Sequence, residues 1–98
     1  MIILRVDEEI SEYGEYYPRT DKEIVGVFNS ISLVESAIKN YLSDNGFKWS
    51  EHHESYYRRT GEFKKDYLLI GFSIANIRIN EPIGSNFEAF KRYEYKEQ

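Results

Sequence analysis

The chain predicts an α+β fold: one small domain, residues 1–98, with an antiparallel β-sheet and one main helix packed on one face. Three observations predict it. The segment "SISLVESAIKNYLSDNG" repeats apolar residues at helical spacing. The segments flanking it alternate apolar and polar residues with the period of a strand. A chain of 98 residues favours a single domain, and a domain of that size buries roughly 60–70% of the surface its unfolded chain exposes.

The elements follow in order. "MIILRV" places Ile2, Leu4 and Val6 on one face and reads as a strand. "DEEISEYGEYYPRTDKE", from Asp7 to Glu23, contains Gly14 and Pro18 and sustains neither period. "EIVGVF" then resumes β character. The simplest reading is a hairpin with a long loop, or one whose strands extend raggedly into it. A loop longer than about 12–15 residues is uncommon in a compact domain and is often functional.

The helix is expected from about Ser32 to Asp44, with Leu33, Val34, Ala37, Ile38, Tyr41 and Leu42 on its apolar face. Ser32 and Glu35 have the spacing of a capping box, in which each side chain satisfies the other's free backbone N–H. Asn45-Gly46 supplies residues that tolerate the left-handed conformation at a helix C-terminus.

"FKWSEHHESYYRRT" alternates weakly and reads as the next strand. "KDYLLIGFSIANIRIN" is the strongest β segment, with Leu68, Ile70, Phe72 and Ile74 on one face. Ile77 and Ile79 fall on the other parity, so a bulge or a break is expected near Ala75-Asn76. "TGEFKKD" joins these two segments as a hairpin connection, and Pro82 and Gly84 close the strand. "SNFEAFKRY" repeats the capping-box spacing at Ser85 and Glu88 and predicts a short second helix. The tail "EYKEQ" is expected to fray or to add as an edge strand. The expected order is therefore β-β-α-β-β-α. The expected core is Leu33, Ile38, Leu42, Leu68, Ile70 and Phe72.

Composition narrows function mostly by exclusion. The chain has no cysteine, which removes disulfides, thiolate catalysis and cysteine-containing zinc sites. No apolar run approaches the roughly 20 residues that span a bilayer, and "MIILRV" reads as too short for a signal-peptide core. A cytoplasmic setting is expected. The net charge of −4 opposes binding of DNA or anionic lipid by the chain as a whole. Abundant Ile, Lys, Asn, Tyr and Phe suit a low-GC genome, such as that of a bacterium or its phage.

"EHHESYYRRT", Glu51 to Thr60, holds both histidines. In a strand His52 and Glu54 point one way and His53 the other, so adjacent histidines do not share an ion without a kink. Zinc needs at least three protein ligands, usually His or Cys, so no metal site and no cofactor are expected. No G-x-S-x-G elbow or phosphate-binding loop is present, and the six glycines are scattered singly. With thirteen Glu and four Asp, some carboxylate pair always looks plausible and carries no information. No enzyme activity is expected.

Two charged poles remain. Between Met1 and Glu23 lie seven acidic residues against Arg5, Arg19 and Lys22. Glu8, Glu9, Glu12 and Glu15 alternate there with Tyr13, Tyr16 and Tyr17. Tyrosine supplies contact area at low entropic cost, and carboxylates steer a basic partner. The leading expectation is a non-enzymatic interaction protein that meets a basic partner through these residues. One specific form is a phage or prophage inhibitor of a bacterial defence nuclease, of the anti-CRISPR or anti-restriction kind. The opposite pole gathers Tyr56, Tyr57, Arg58, Arg59, Lys64 and Lys65 around one hairpin, where rings stack on bases and cations meet phosphates in the alternative, nucleic-acid reading. A third alternative is a small-ligand or signal-nucleotide binder with its pocket between helix and sheet. The charge dipole also suits head-to-tail self-association or a homodimer.

Overall fold

The computed structural model describes residues 1–11, 19–63, 66–77 and 90–96. Within them run β1 (Ile2–Ser11), β2 (Arg19–Phe28), α1 (Ile31–Asp44), β3 (Lys48–Ser50), β4 (Ser55–Arg59), β5 (Tyr67–Asn76) and β6 (Lys91–Tyr93). The six strands form one antiparallel sheet in the order β2-β1-β5-β4-β3. β6 shares with β4 the edge of β5 that faces away from β1. β4 takes Tyr67–Ile70, and β6 takes Phe72–Ile74. The α+β class, the antiparallel sheet and the single main helix agree with the sequence reading. The order does not: β-β-α-β-β-β-β replaces the expected β-β-α-β-β-α.

Residues directly opposite in an antiparallel pair share a face of the sheet. One face therefore carries the rows Leu4–Ile74, Val6–Phe72, Glu8–Ile70–Tyr56 and Ile10–Leu68–Arg58. Helix α1 covers the β1–β2 side of this face, and Val34, Ile38 and Leu42 are its buried residues. They join Leu4, Val6, Leu68, Ile70 and Phe72 in one core.

Leu33 is a correction to the expected core: it is 50% exposed, and Val34 is buried in its place. The stripe runs at four-residue intervals through 34, 38 and 42, and Leu33 lies about 100° behind it on the helical wheel. The cap also starts earlier than the spacing suggested. Ser30 is the N-cap and its Oγ accepts from the Leu33 amide, whereas Ser32 lies inside the helix. The C-terminus follows the expectation. The Phe47 amide donates to the Leu42 carbonyl and the Gly46 amide to the Ser43 carbonyl, a Schellman pattern with Gly46 at φ 71°. The Phe47 ring stacks on Tyr41 and closes the motif with apolar contact. Gly46→Ala is expected to cost about 1–2 kcal/mol, because a Cβ is disfavoured in that conformation. Urea unfolding of the variant measures it.

β1 and β2 extend well into the segment expected to hold a long loop. Their pairing runs from Ile2–Phe28 to Ile10–Arg19. The ragged-strand alternative is the one observed. The described residues measure 48 × 29 × 20 Å with a radius of gyration of 14.7 Å. A compact domain of this length has roughly 13 Å, so the fold is elongated.

β5 pairs with β1 without interruption from Tyr67 to Asn76 and ends there, so the phase change near Ala75-Asn76 is a strand end. The register shift lies instead between β1 and β2, at Leu4 and Arg5 opposite Gly26 and Ile24. "EHHE" is also corrected: Glu51–Glu54 is a four-residue turn that joins β3 to β4, with Ser50 opposite Ser55. Glu54 has φ 51°, which the turn demands of a non-glycine residue. The expected second helix is contradicted at its end, because Lys91–Tyr93 pairs with β5. A free sheet edge there outweighs local propensity. The capping pair Ser85 and Glu88, together with Pro82 and Gly84, lies outside the described residues.

The β4–β5 connection at Thr60–Asp66 is the expected hairpin. The Thr60 amide donates to the Asp66 carbonyl, and the Asp66 amide to that of Phe63. A Cβ on Gly61 would collide with the Asp66 side chain, itself only 8% exposed. Gly61→Ala is expected to cost about 1–3 kcal/mol, as overpacked sites do. A mutant that melts with the wild type would show that the hairpin yields freely.

Candidate functional site

The β1–β2 register concentrates carboxylates at the far end of the ribbon. Asp7 stands opposite Lys22, Glu8 opposite Asp21, Glu9 opposite Thr20 and Val6 opposite Glu23. Asp7, Glu9 and Lys22 thus share one face of the ribbon, and Glu8, Asp21 and Glu23 share the other. Asp7 and Glu8 make hydrogen bonds that tie them into the fold. Asp7 accepts a 2.6 Å hydrogen bond from the Ser73 hydroxyl and forms an ion pair with Arg5 at 2.8 Å. The Arg5 guanidinium also lies 4.3 Å above the Phe90 ring. Glu8 accepts from the Tyr41 hydroxyl at 3.5 Å. Burial raises the Tyr41 phenol pKa above its usual 10.0, and the charges of Glu8 and Glu23 raise it further, against Arg58. Asp21 and Glu23 are exposed on β2, the edge strand.

Of the sequence-predicted partner-binding residues, the structure places Glu8 and Glu9 on β1 within this cluster. Glu12, Tyr13, Glu15, Tyr16 and Tyr17 lie outside the described residues. Asp21 and Glu23 join the cluster through cross-strand register, which separation along the chain conceals.

The basic hairpin is built differently. Arg58 donates to the Asn45 carbonyl at 2.7 Å and lies 4.8 Å above the Phe47 ring, so it closes the helix C-terminus. Arg59 donates to the carbonyls of Glu62 and Phe63 at the hairpin tip. Tyr56 is buried, and its hydroxyl donates to the Tyr95 carbonyl at 3.0 Å. Tyr57 points to the opposite face of β4. Lys64 and Lys65 lie outside the described residues.

The histidines sit in the β3–β4 turn. His53 Nδ1 lies 3.0 Å from Ser50 Oγ, and its ring packs against Tyr67 and edge-on to His52. Among the described residues no three His, Cys, Asp or Glu side chains are placed to hold a metal ion. Among them, too, no helix is long and apolar enough to cross a membrane.

Two depressions flank the break between β4 and β6 at Gly71. One, of about 500 Å³, is bordered by Asp7, Glu9, Thr20, Lys22, Ser73 and Arg92 among others. The other, of about 320 Å³, is walled by Trp49, Tyr56, Tyr93 and Tyr95. No helix residue lines either one, so neither is the pocket between helix and sheet that the sequence suggested.

Tyr93 donates to Glu35 on the helix, and that bond holds its phenol up at about 12. The folded pKa exceeds the unfolded value near 10, so this contribution to stability is complete below pH 10 and is lost as pH rises towards 12. An alkaline absorbance titration should show a late step near pH 12 beyond the ordinary tyrosines and Tyr41, and Tyr93→Phe should remove that step. A wild type whose tyrosines all ionise near pH 10 would refute the link.

Compared with family models, curated proteins and solved structures, the chain finds no match.

Proposed function

We propose that this chain is a non-enzymatic protein-interaction module that meets a basic surface of its partner with the acidic end of the β1–β2 hairpin. One observation carries the reading: Glu8 and Asp21 stand directly opposite each other on adjacent strands. Like charges at that position destabilise a sheet, and local rules are broken most often where function requires it. A basic partner surface would relieve the repulsion on binding and would be steered to the site by it.

The basic hairpin supports the alternative less well, since Arg58 and Arg59 are both engaged by backbone carbonyls of their own chain. Binding through the acidic end also suits one narrower class of partner: a nuclease of bacterial defence, of the CRISPR or restriction kind, with a basic groove built for phosphates. The exposed Asp21 and Glu23, two residues apart on one face of β2 and so about 7 Å from each other, would present negative charge to such a groove.

The test is affinity capture from a bacterial lysate at low and at high salt, with the wild-type chain and an Asp21→Lys, Glu23→Lys variant as baits. The expected result is a stoichiometric basic protein retained by the wild type at low salt and missing from the variant. Equal retention by both baits, or recovery of nucleic acid, would overturn the proposal.

A further inference from the structure

We infer that the cavity at the β4–β6 break is a binding site for an alkylammonium group. The inference goes beyond the acidic hairpin and uses different residues, so either can fail without the other.

The walls come first. The Trp49 and Tyr56 rings meet edge to face with centroids 5.1 Å apart, and Tyr95 lies 6.5 Å from Tyr56, inclined by 32°. Three rings at different inclinations therefore border one space of about 320 Å³. Aromatic faces attract cations through their quadrupole, and quaternary ammonium groups are the ligands such cages recognise. The volume is at the small end for ligand pockets, which suits a single cationic head group.

Charge points the same way. Glu51, Glu54 and Glu94 line the cavity against Arg92 and Lys96. Glu51 is held in place by a 2.9 Å hydrogen bond from the Trp49 indole N–H. Glu54 is set in the left-handed region by the β3–β4 turn.

The most direct observation is that the chain places an ammonium of its own there. Lys96 Nζ lies 5.9 Å from the Trp49 ring centroid, at the outer limit of a cation–π contact. Lys96 is exposed and belongs to a segment without regular secondary structure, so it can be displaced at little cost. It acts as a tethered competitor. The ligand has two sources with shared chemistry: a free small amine, or a methylated lysine side chain of a partner polypeptide.

Trp49 is the one tryptophan of the chain, so its fluorescence reports on the site. The full chain is titrated at constant ionic strength with choline and with its uncharged isostere 3,3-dimethyl-1-butanol. The expected result is a saturable change with choline and none with the isostere. Lys96→Gln should tighten choline binding on the order of 3- to 10-fold, because a competing state is removed. A short peptide with one trimethyllysine forms the second arm. Binding tighter than that of choline assigns the site to a partner's side chain, and equal or weaker binding assigns it to a free amine. No saturation, equal responses to choline and the isostere, or a Lys96→Gln variant that binds no tighter would each overturn the inference.

Discussion

Ile38→Ala should lower unfolding stability by about 2–5 kcal/mol, the cost of deleting a large aliphatic group from a packed core. Ile38 has no exposed surface and sits between Val34 and Leu42 on the helix and the β1–β5 rows beneath. In a domain of this length each kcal/mol moves the melting temperature by about 4–8 °C. Leu42→Ala should behave alike, since Leu42 is 1% exposed and also anchors the Schellman turn. Leu33→Ala supplies the control: half exposed, it should change stability by no more than about 0.5 kcal/mol, as surface positions do. Denaturant melts of the three variants settle the packing of the helix. Equal losses at 33 and 38 would mean that the helix presents a different face to the sheet.

Reversing charge at the acidic end should separate stability from binding. Asp21→Lys turns a repulsive cross-strand pair with Glu8 into an attractive one, and should stabilise the fold by about 0.2–1 kcal/mol. With Glu23→Lys added, the association rate with a captured basic partner should fall about 10-fold or more at low salt, because steering charges act on encounter. The difference should shrink as added salt shortens the screening length. A change that strengthens the fold while weakening binding is the mark of a residue kept for function. Lower melting temperature with unchanged kinetics would show instead that Asp21 and Glu23 serve the ribbon.

Parts of this fold were legible from residue pattern, and the exceptions have physical causes. Helix α1 and strand β5 carry strong apolar periods, so burial of one face specifies them locally. The outer halves of β1 and β2 carry charge on both faces, so no alternation marks them. Extension of the ladder from the buried rows at Leu4 and Val6 holds them as strands. β6 is three residues long and depends on an edge that β5 offers from far along the chain. Leu33 satisfied the apolar spacing but lies about 100° from the Val34–Ile38–Leu42 stripe, so it stays exposed.

The acidic pole was visible as composition. Its focus on Glu8, Glu9, Asp21 and Glu23 was not, because register alone brings the last two to the first. The aromatic cavity joins Trp49 and Tyr56 to Tyr95, which lies 39 residues beyond Tyr56 along the chain, and no local pattern announces it. The alternation "KRY" at Lys91–Tyr93 was the available hint that this segment follows strand geometry and not a helix.

We propose that the acidic end of the β1–β2 hairpin makes the encounter with a basic partner. The most direct measurement is the association rate of the wild type and of Asp21→Lys, Glu23→Lys with the captured partner across a series of salt concentrations. The expected result is a wild-type rate that falls steeply with salt and a variant rate that starts low and stays nearly flat, the two converging at high salt. A wild-type rate insensitive to salt, or two curves of the same slope, would contradict it.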